Sequence, residues 1–154
     1  MNIFPIYGII IIICYFYLFT TKGGILVKKT YLFSASTKMM YFNKANDLYN
    51  KKDYKEALNL YKKSIELKEN EAASLYNAAV CLIKLRSFEN AISLIKRAVK
   101  LKEDSRYYFN LGYCYAMLKN SPKALLYFNT AWSLDNTDSD CEKAIKLLLD
   151  SFKK

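Results

Sequence analysis

The chain has no histidine, only two prolines and four glycines among 154 residues. Without histidine there is no Ser-His or Cys-His catalytic pair, no HExxH zinc motif and no Cys-His zinc site. Scarce glycine and proline argue against a turn-dense all-β fold. No Gly-rich phosphate loop, nucleophile elbow or paired-carboxylate signature occurs either, so no enzyme activity, cofactor or metal is expected. Acid is also in short supply. Twenty-four Lys and Arg face 14 Asp and Glu, a net charge of +10. That surplus is divided as +3 before residue 31, +2 over 31–71, +3 over 72–104, +1 over 105–138 and +1 in the tail, and many lysines stand among acids. A nucleic-acid surface would want clustering on one face, so nucleic acid is not expected as a partner.

Apolar residues, in contrast, are unevenly placed. Sixteen of the first 21 residues are hydrophobic and none is charged. As a helix, the 17 residues from Ile3 to Phe19 reach roughly 26 Å, and Thr20 and Thr21 extend this to the thickness of a hydrocarbon core. Residues 3–21 are therefore expected to be a transmembrane signal anchor contacting the lipid bilayer, with residues 22–37 as a juxtamembrane linker. A cleaved signal peptide is the rival reading, but it lacks a basic start and a small-x-small cleavage site. A buried core helix is the other. Lys22, Lys28, Lys29 and Lys38 follow the segment and no cation precedes it. The positive-inside rule then places the bulk of the chain in the cytoplasm.

Self-comparison organises the remainder. Ala57, Ala91 and Ala124 are spaced by 34 and 33 residues. Sixteen residues before each stands Tyr41, Leu75 or Tyr108; twelve before stands Ala45, Ala79 or Gly112. Seven after comes Ser64, Ala98 or Ala131, and ten after comes Leu67, Leu101 or Leu134. Apolar positions recur at three- and four-residue steps in two bursts per unit, which predicts an antiparallel helix pair. Asp53, Ser87, and Ser121 followed by Pro122, suit the start of each second helix. Small residues fall where the helices of a pair cross. One pair cannot bury its apolar face; three stacked pairs can. After the third unit, Ser139-Asp140-Cys141-Glu142 reads as a capping box. Cys141, Ala144, Ile145, Leu148 and Phe152 then share a helical face. A capping helix over residues 139–154 is expected, with a partner-binding helix as the alternative.

These spacings resemble the tetratricopeptide repeat (TPR) family over three units: 38–71, 72–104 and 105–138. The third carries the closest likeness, in Tyr108, Leu111, Gly112, Tyr115, Ala124, Phe128, Ala131 and Leu134. Departures are Glu69, Glu103 and Asn136 at the usual unit-end proline, and Lys44 at a common leucine position. The resemblance implies an all-α, TPR-type α-solenoid of three helix-turn-helix repeats plus the capping helix, following the N-terminal transmembrane helix. Cys81 and Cys114 share one repeat position, so they should lie about 10 Å apart, beyond the reach of a disulfide.

In TPR proteins the first helices of the units line a concave groove that holds a peptide or a partner helix. By position this groove would present Phe42, Asn43, Asn46 and Tyr49; Tyr76, Asn77, Val80, Ile83 and Lys84; and Arg106, Phe109, Asn110, Tyr113 and Met117. An aromatic-Asn pair recurs there as Phe42-Asn43, Tyr76-Asn77 and Phe109-Asn110. It suits an extended peptide, since side-chain amides satisfy backbone donors and acceptors and aromatics supply contact area. It could equally belong to generic packing between the helices. Some family members clamp a C-terminal carboxylate; the matching positions here are Phe42, Asn46, Asn77, Arg106 and Asn110. Two of the family's basic positions are lost, so a full clamp is not expected. The expected function is a membrane-anchored adaptor or scaffold that binds a protein or peptide partner. The alternative is an extracytoplasmic assembly or secretion factor.

Overall fold

The computed structural model describes residues 40–68 and 70–151, and all of its regular structure is helical. α1 covers residues 40–50. It is followed by α2 (Tyr54–Glu66), α3 (Glu71–Lys84), α4 (Phe88–Leu101), α5 (Ser105–Met117), α6 (Ser121–Leu134) and α7 (Ser139–Ser151). Each helix packs on the next in sequence, and α3 also meets α5 across one pair, so the helices stack as a TPR-like helical solenoid. The expected segments 3–21 and 22–37 lie outside the described residues. Among the described residues no helix is long and apolar enough to cross a membrane.

Helix formation follows the apolar periodicity, and the core follows helix crossing. Ala45 and Ala57 are fully buried where α1 meets α2, as are Ala79 and Ala91 where α3 meets α4. Larger side chains fill the spaces between. Leu75, Ile95 and Leu111 are essentially removed from water, each contributing about 2 kcal/mol of transfer free energy. One cluster spans α1 to α3 and another spans α3 to α7; Ile65, Leu82 and Leu94 touch both, so the core is continuous. Buried polarity is satisfied: Ser64 and Ser74 hydrogen-bond each other across α2 and α3 at 2.9 Å. The recurring leucine ten residues after the alanine behaves differently. Leu101 and Leu134 end their helices and stay 53% and 44% exposed.

The tightest crossing is at Gly112. A Cβ built there would lie 2.7, 2.8 and 2.9 Å from three carbons of the Phe128 ring. That ring is only 3% exposed and cannot step aside. Glycine costs about 1 kcal/mol relative to alanine inside a helix, and here close approach of α5 to α6 offsets that cost.

The turns within pairs solve a different problem. Lys52, Arg86 and Lys119 take φ of 64°, 61° and 59°, in the left-handed region where glycine is usual. Behind each, the chain closes the same two hydrogen bonds. Lys52 N–H donates to Tyr49 O at 2.9 Å and Asp53 N–H to Leu48 O at 2.9 Å. Arg86 to Ile83 (3.0 Å) and Ser87 to Leu82 (2.8 Å) repeat this, as do Lys119 to Ala116 (2.9 Å) and Asn120 to Tyr115 (2.8 Å). The second residue of each turn therefore caps the incoming helix as well. This moves the third helix start from the expected Ser121 to Asn120, whose side chain accepts from Lys123 N–H at 3.2 Å. The start of α7 shifts likewise. Asp138, one residue before the expected Ser139, accepts from Asp140 N–H at 2.9 Å and Cys141 N–H at 3.3 Å.

α7 covers the end of the stack. Cys141 is fully buried and its thiol donates to the Phe128 carbonyl at 3.1 Å. Ala144, Ile145 and Leu148 pack on the same core. Phe152, expected on that face, lies outside the described residues. Cys81, Cys114 and Cys141 are free and buried. Burial pushes the thiols of Cys81 and Cys114 up to about 12, leaving both protonated and unreactive at neutral pH.

Two substitutions should move stability in opposite directions. Gly112→Ala gains helix propensity but overpacks the Phe128 ring, for a net loss of roughly 1–2 kcal/mol. Lys119→Gly relieves the left-handed turn and should gain roughly 0.5–1 kcal/mol. Thermal unfolding followed by circular dichroism would show the melting temperature falling for the first and rising for the second.

Candidate peptide-binding groove

The inner surface of the solenoid is built from α1, α3 and α5. A concave cavity of about 580 Å3 is lined by Tyr49, Tyr76, Val80, Ile83, Lys84, Phe109, Asn110, Tyr113 and Met117, together with Arg86 and Phe88. A smaller one of about 300 Å3 is lined by Asn46, Tyr49, Asn50, Tyr61, Asn77 and Val80. Tyr49 and Val80 belong to both, which makes the two hollows neighbouring parts of one surface.

Eleven of the fourteen residues placed in the groove from sequence line this surface; Phe42, Asn43 and Arg106 do not. Phe42 sits beside it, edge-on to the Tyr61 ring at 5.9 Å. Asn43 is exposed on α1. Arg106 lies over the Tyr76 ring at 5.9 Å. Ile83 and Met117 take their expected places. Arg86, Phe88 and Tyr61 were not among the expected lining. Arg86 stands in the left-handed turn after α3, and Phe88 opens α4.

The floor is aromatic and layered. Tyr76 packs on Tyr107 with centroids 4.6 Å apart, and Phe109 on Phe128 at 5.3 Å. Phe88 meets Tyr113 edge-on at 6.4 Å. Tyr113 and Met117 remain 38% and 39% exposed, so their side chains offer surface to a partner.

Amides and phenols connect these rings. The Tyr61 hydroxyl and Asn77 Nδ2 both donate to Asn46 Oδ1, the latter at 3.3 Å. Asn110 Nδ2 donates to the Tyr76 hydroxyl at 2.9 Å and to the Arg106 carbonyl at 3.0 Å. Burial pushes the Tyr61 phenol up to about 12 and raises those of Tyr49 and Tyr76, so all three stay neutral donors at physiological pH. These amides form two internally bonded sets, and Asn43, the first Asn of the recurring aromatic-Asn pair, belongs to neither. Within them, Asn77 and Asn110 keep their carbonyl oxygens without a hydrogen-bond partner among the described residues. An extended peptide could donate its backbone N–H groups there.

Arg106 has a different occupation from the one its position suggested. Its Nε and Nη2 donate to the two carboxylate oxygens of Asp104 at 2.8 and 2.7 Å. The same carboxylate caps α5, accepting from Arg106 N–H at 3.1 Å. Hydrogen bonds from Arg106 are the main reason the Asp104 carboxyl titrates below its ordinary value. Arg106 is thus a positioned structural cation more than a vacant anion receptor.

Comparison with known proteins follows this geometry. Residues 83–139 match the model of the tetratricopeptide repeat. Residues 25–98 match that of the anaphase-promoting complex (cyclosome) subunit 3, just under half of the chain. No curated protein matches. Among solved structures, the Arabidopsis OM64 TPR domain superposes with a TM-score of 0.71 at 23% identity, over 74% of this chain and 95% of that one. The first TPR of Spaghetti (RPAP3), solved with the HSP90 peptide SRMEEVD, gives 0.72 at 18%, over 76% and 94%. YrrB, described as a TPR protein with an unusual peptide-binding site, gives 0.65 at 24%, over 71% and 57%. At these identities the likeness establishes the TPR fold.

The Asp104–Arg106 clasp has a pH signature. Because the native carboxyl is lowered, its stabilisation is present above the ordinary value of 3.8 and lost as pH falls below that through the native value. Asp104→Asn keeps a competent cap but removes the charge. Its stability should fall less steeply than the wild type's between about pH 4 and pH 2, as measured by urea unfolding across that window.

Proposed function

We propose that this chain is a protein-interaction module that holds a peptide or helix of a partner in the groove between α1, α3 and α5. The observation carrying this reading is the coincidence of aromatic surface with amide carbonyls lacking partners on one concave face. Tyr113 and Met117 supply exposed contact area, Tyr76 and Phe109 a rigid floor, and Asn77 and Asn110 acceptors for an extended backbone. Two of the related solved structures are described by peptide binding, which agrees with a groove role for the shared fold. The fourteen residues from Phe42 to Met117 named from sequence remain the proposed contact set, with Phe42, Asn43 and Arg106 at its margin.

Membrane attachment is the second part of the proposal. It rests on the uncharged, apolar segment 3–21 and on the lysines that follow it, which set the repeats on the cytoplasmic side as an adaptor. The partial match to a subunit of the anaphase-promoting complex is read as likeness of repeats, and no membership of that complex is proposed.

A photo-crosslinking amino acid placed at Tyr113 or Met117 of the full chain in cells should yield a discrete partner adduct. The same group at Leu126, 59% exposed, serves as the control. Adducts of equal yield and identity from Leu126 would refute the groove. Protease treatment of intact cells should leave the repeats undigested; their digestion would place them outside.

A further inference from the structure

The proposed groove is strongly biased in charge. No Asp or Glu lines either hollow, whereas Lys84 and Arg86 stand together at one end of the larger one. Ion pairs among the described residues are Arg97–Glu71, Arg106–Asp104 and Lys143–Asp140, so neither Lys84 nor Arg86 has a carboxylate partner there. Several other acids of the repeats hold hydrogen bonds of their own. Asp53 accepts from Glu56 N–H, Glu56 from Asn59, and Glu103 from the Tyr108 hydroxyl. Glu89, in the first turn of α4, forms no ion pair with either cation among the described residues, and its charge helps to raise the buried Cys114 thiol. The C-terminal dipole of α3 offsets only about half a charge of the two cations.

Resting on the groove reading, we infer that the partner segment is acidic and apolar together, with side-chain carboxylates seated on Lys84 and Arg86 at the end of α3. Its apolar side chains lie over Tyr76, Val80, Phe109 and Tyr113. The anchor is not a terminal carboxylate held near Arg106, because Arg106 is already paired bidentately through Nε and Nη2 with Asp104, which neutralises its charge. Selection therefore acts on internal Asp or Glu residues, at the opposite end of the groove from the Asn46–Asn77 pair. A basic partner would meet uncompensated like charge there, and a purely apolar one would leave the two cations unmatched.

Three synthetic peptides decide this, each acetylated and amidated so that no terminal carboxylate exists. They share one leucine- and phenylalanine-containing core, flanked by glutamate, glutamine or lysine. With the full chain, fluorescence anisotropy should rank glutamate tightest, about tenfold over glutamine, as expected for two partly solvated ion pairs. The lysine peptide should be weakest. Lys84→Gln with Arg86→Gln should bring the glutamate and glutamine peptides level, whereas Arg106→Gln should leave the ranking intact. Tyr113→Ala should weaken all three. If the glutamate preference is missing, or survives loss of Lys84 and Arg86, the acidic anchor is refuted while the groove stands. If no peptide binds, or Tyr113→Ala changes nothing, the groove reading itself falls and the anchor with it.

Discussion

Close approach of the two helices in each pair is the constraint on which everything else rests. It requires residues with little or no side chain at fixed points: Ala45 against Ala57, Ala79 against Ala91, and Gly112 under the Phe128 ring. Once those contacts set the spacing, the large side chains have only the gaps between pairs to fill. Leu75, Ile95 and Leu111 do so, and the aromatic floor of the groove is laid on the same packing. Phe109 lines the groove and touches Phe128, which in turn fits against Gly112. The dimensions of the candidate site are thus inherited from a contact on its far side.

Polarity is placed under the same discipline. Charged groups are absent from the middle of the groove, where they would lose hydration on binding. Hydroxyls and amides replace them, and burial keeps the phenols neutral. Cations occur at the ends, one of them neutralised by Asp104. A surface of this kind discriminates by shape and hydrogen-bond register along its length and by charge at its edge.

Much of this was legible in the sequence, and for a reason. Helix periodicity and small-residue spacing are dictated by backbone geometry, so a 34- and 33-residue recurrence of alanine fixes pairing and face together. Eleven of the fourteen residues assigned to the groove line the two hollows because helix phase alone decides which side they take. What escaped depends on single torsions and short-range competition. Asn120 and Ser121 are both good caps, and only the hydrogen bond from Asn120 N–H to Tyr115 O chooses between them. Arg106 sits at a phase suited to the groove, but the extended backbone at Asp104, φ −157° and ψ 130°, turns the carboxylate back onto it. Arg86 and Phe88 line the groove from the turn after α3 and the start of α4, and the left-handed torsion at Arg86 is one that no propensity scale would place at an arginine.

The amides of the groove carry one more consequence. Asn46, Asn77 and Asn110 already hold hydrogen bonds within the fold. Where an arriving segment replaces one of these bonds, it swaps partners and adds no bond, and the net enthalpy of the swap is close to zero. In the proposed groove, affinity would then come from the rings, the unpartnered Asn77 and Asn110 carbonyls and the cations at its end, while the bonded amides would act as a proofreading device. A segment that fits restores every bond it displaces. One shifted by a single residue strands a buried donor or acceptor and dissociates.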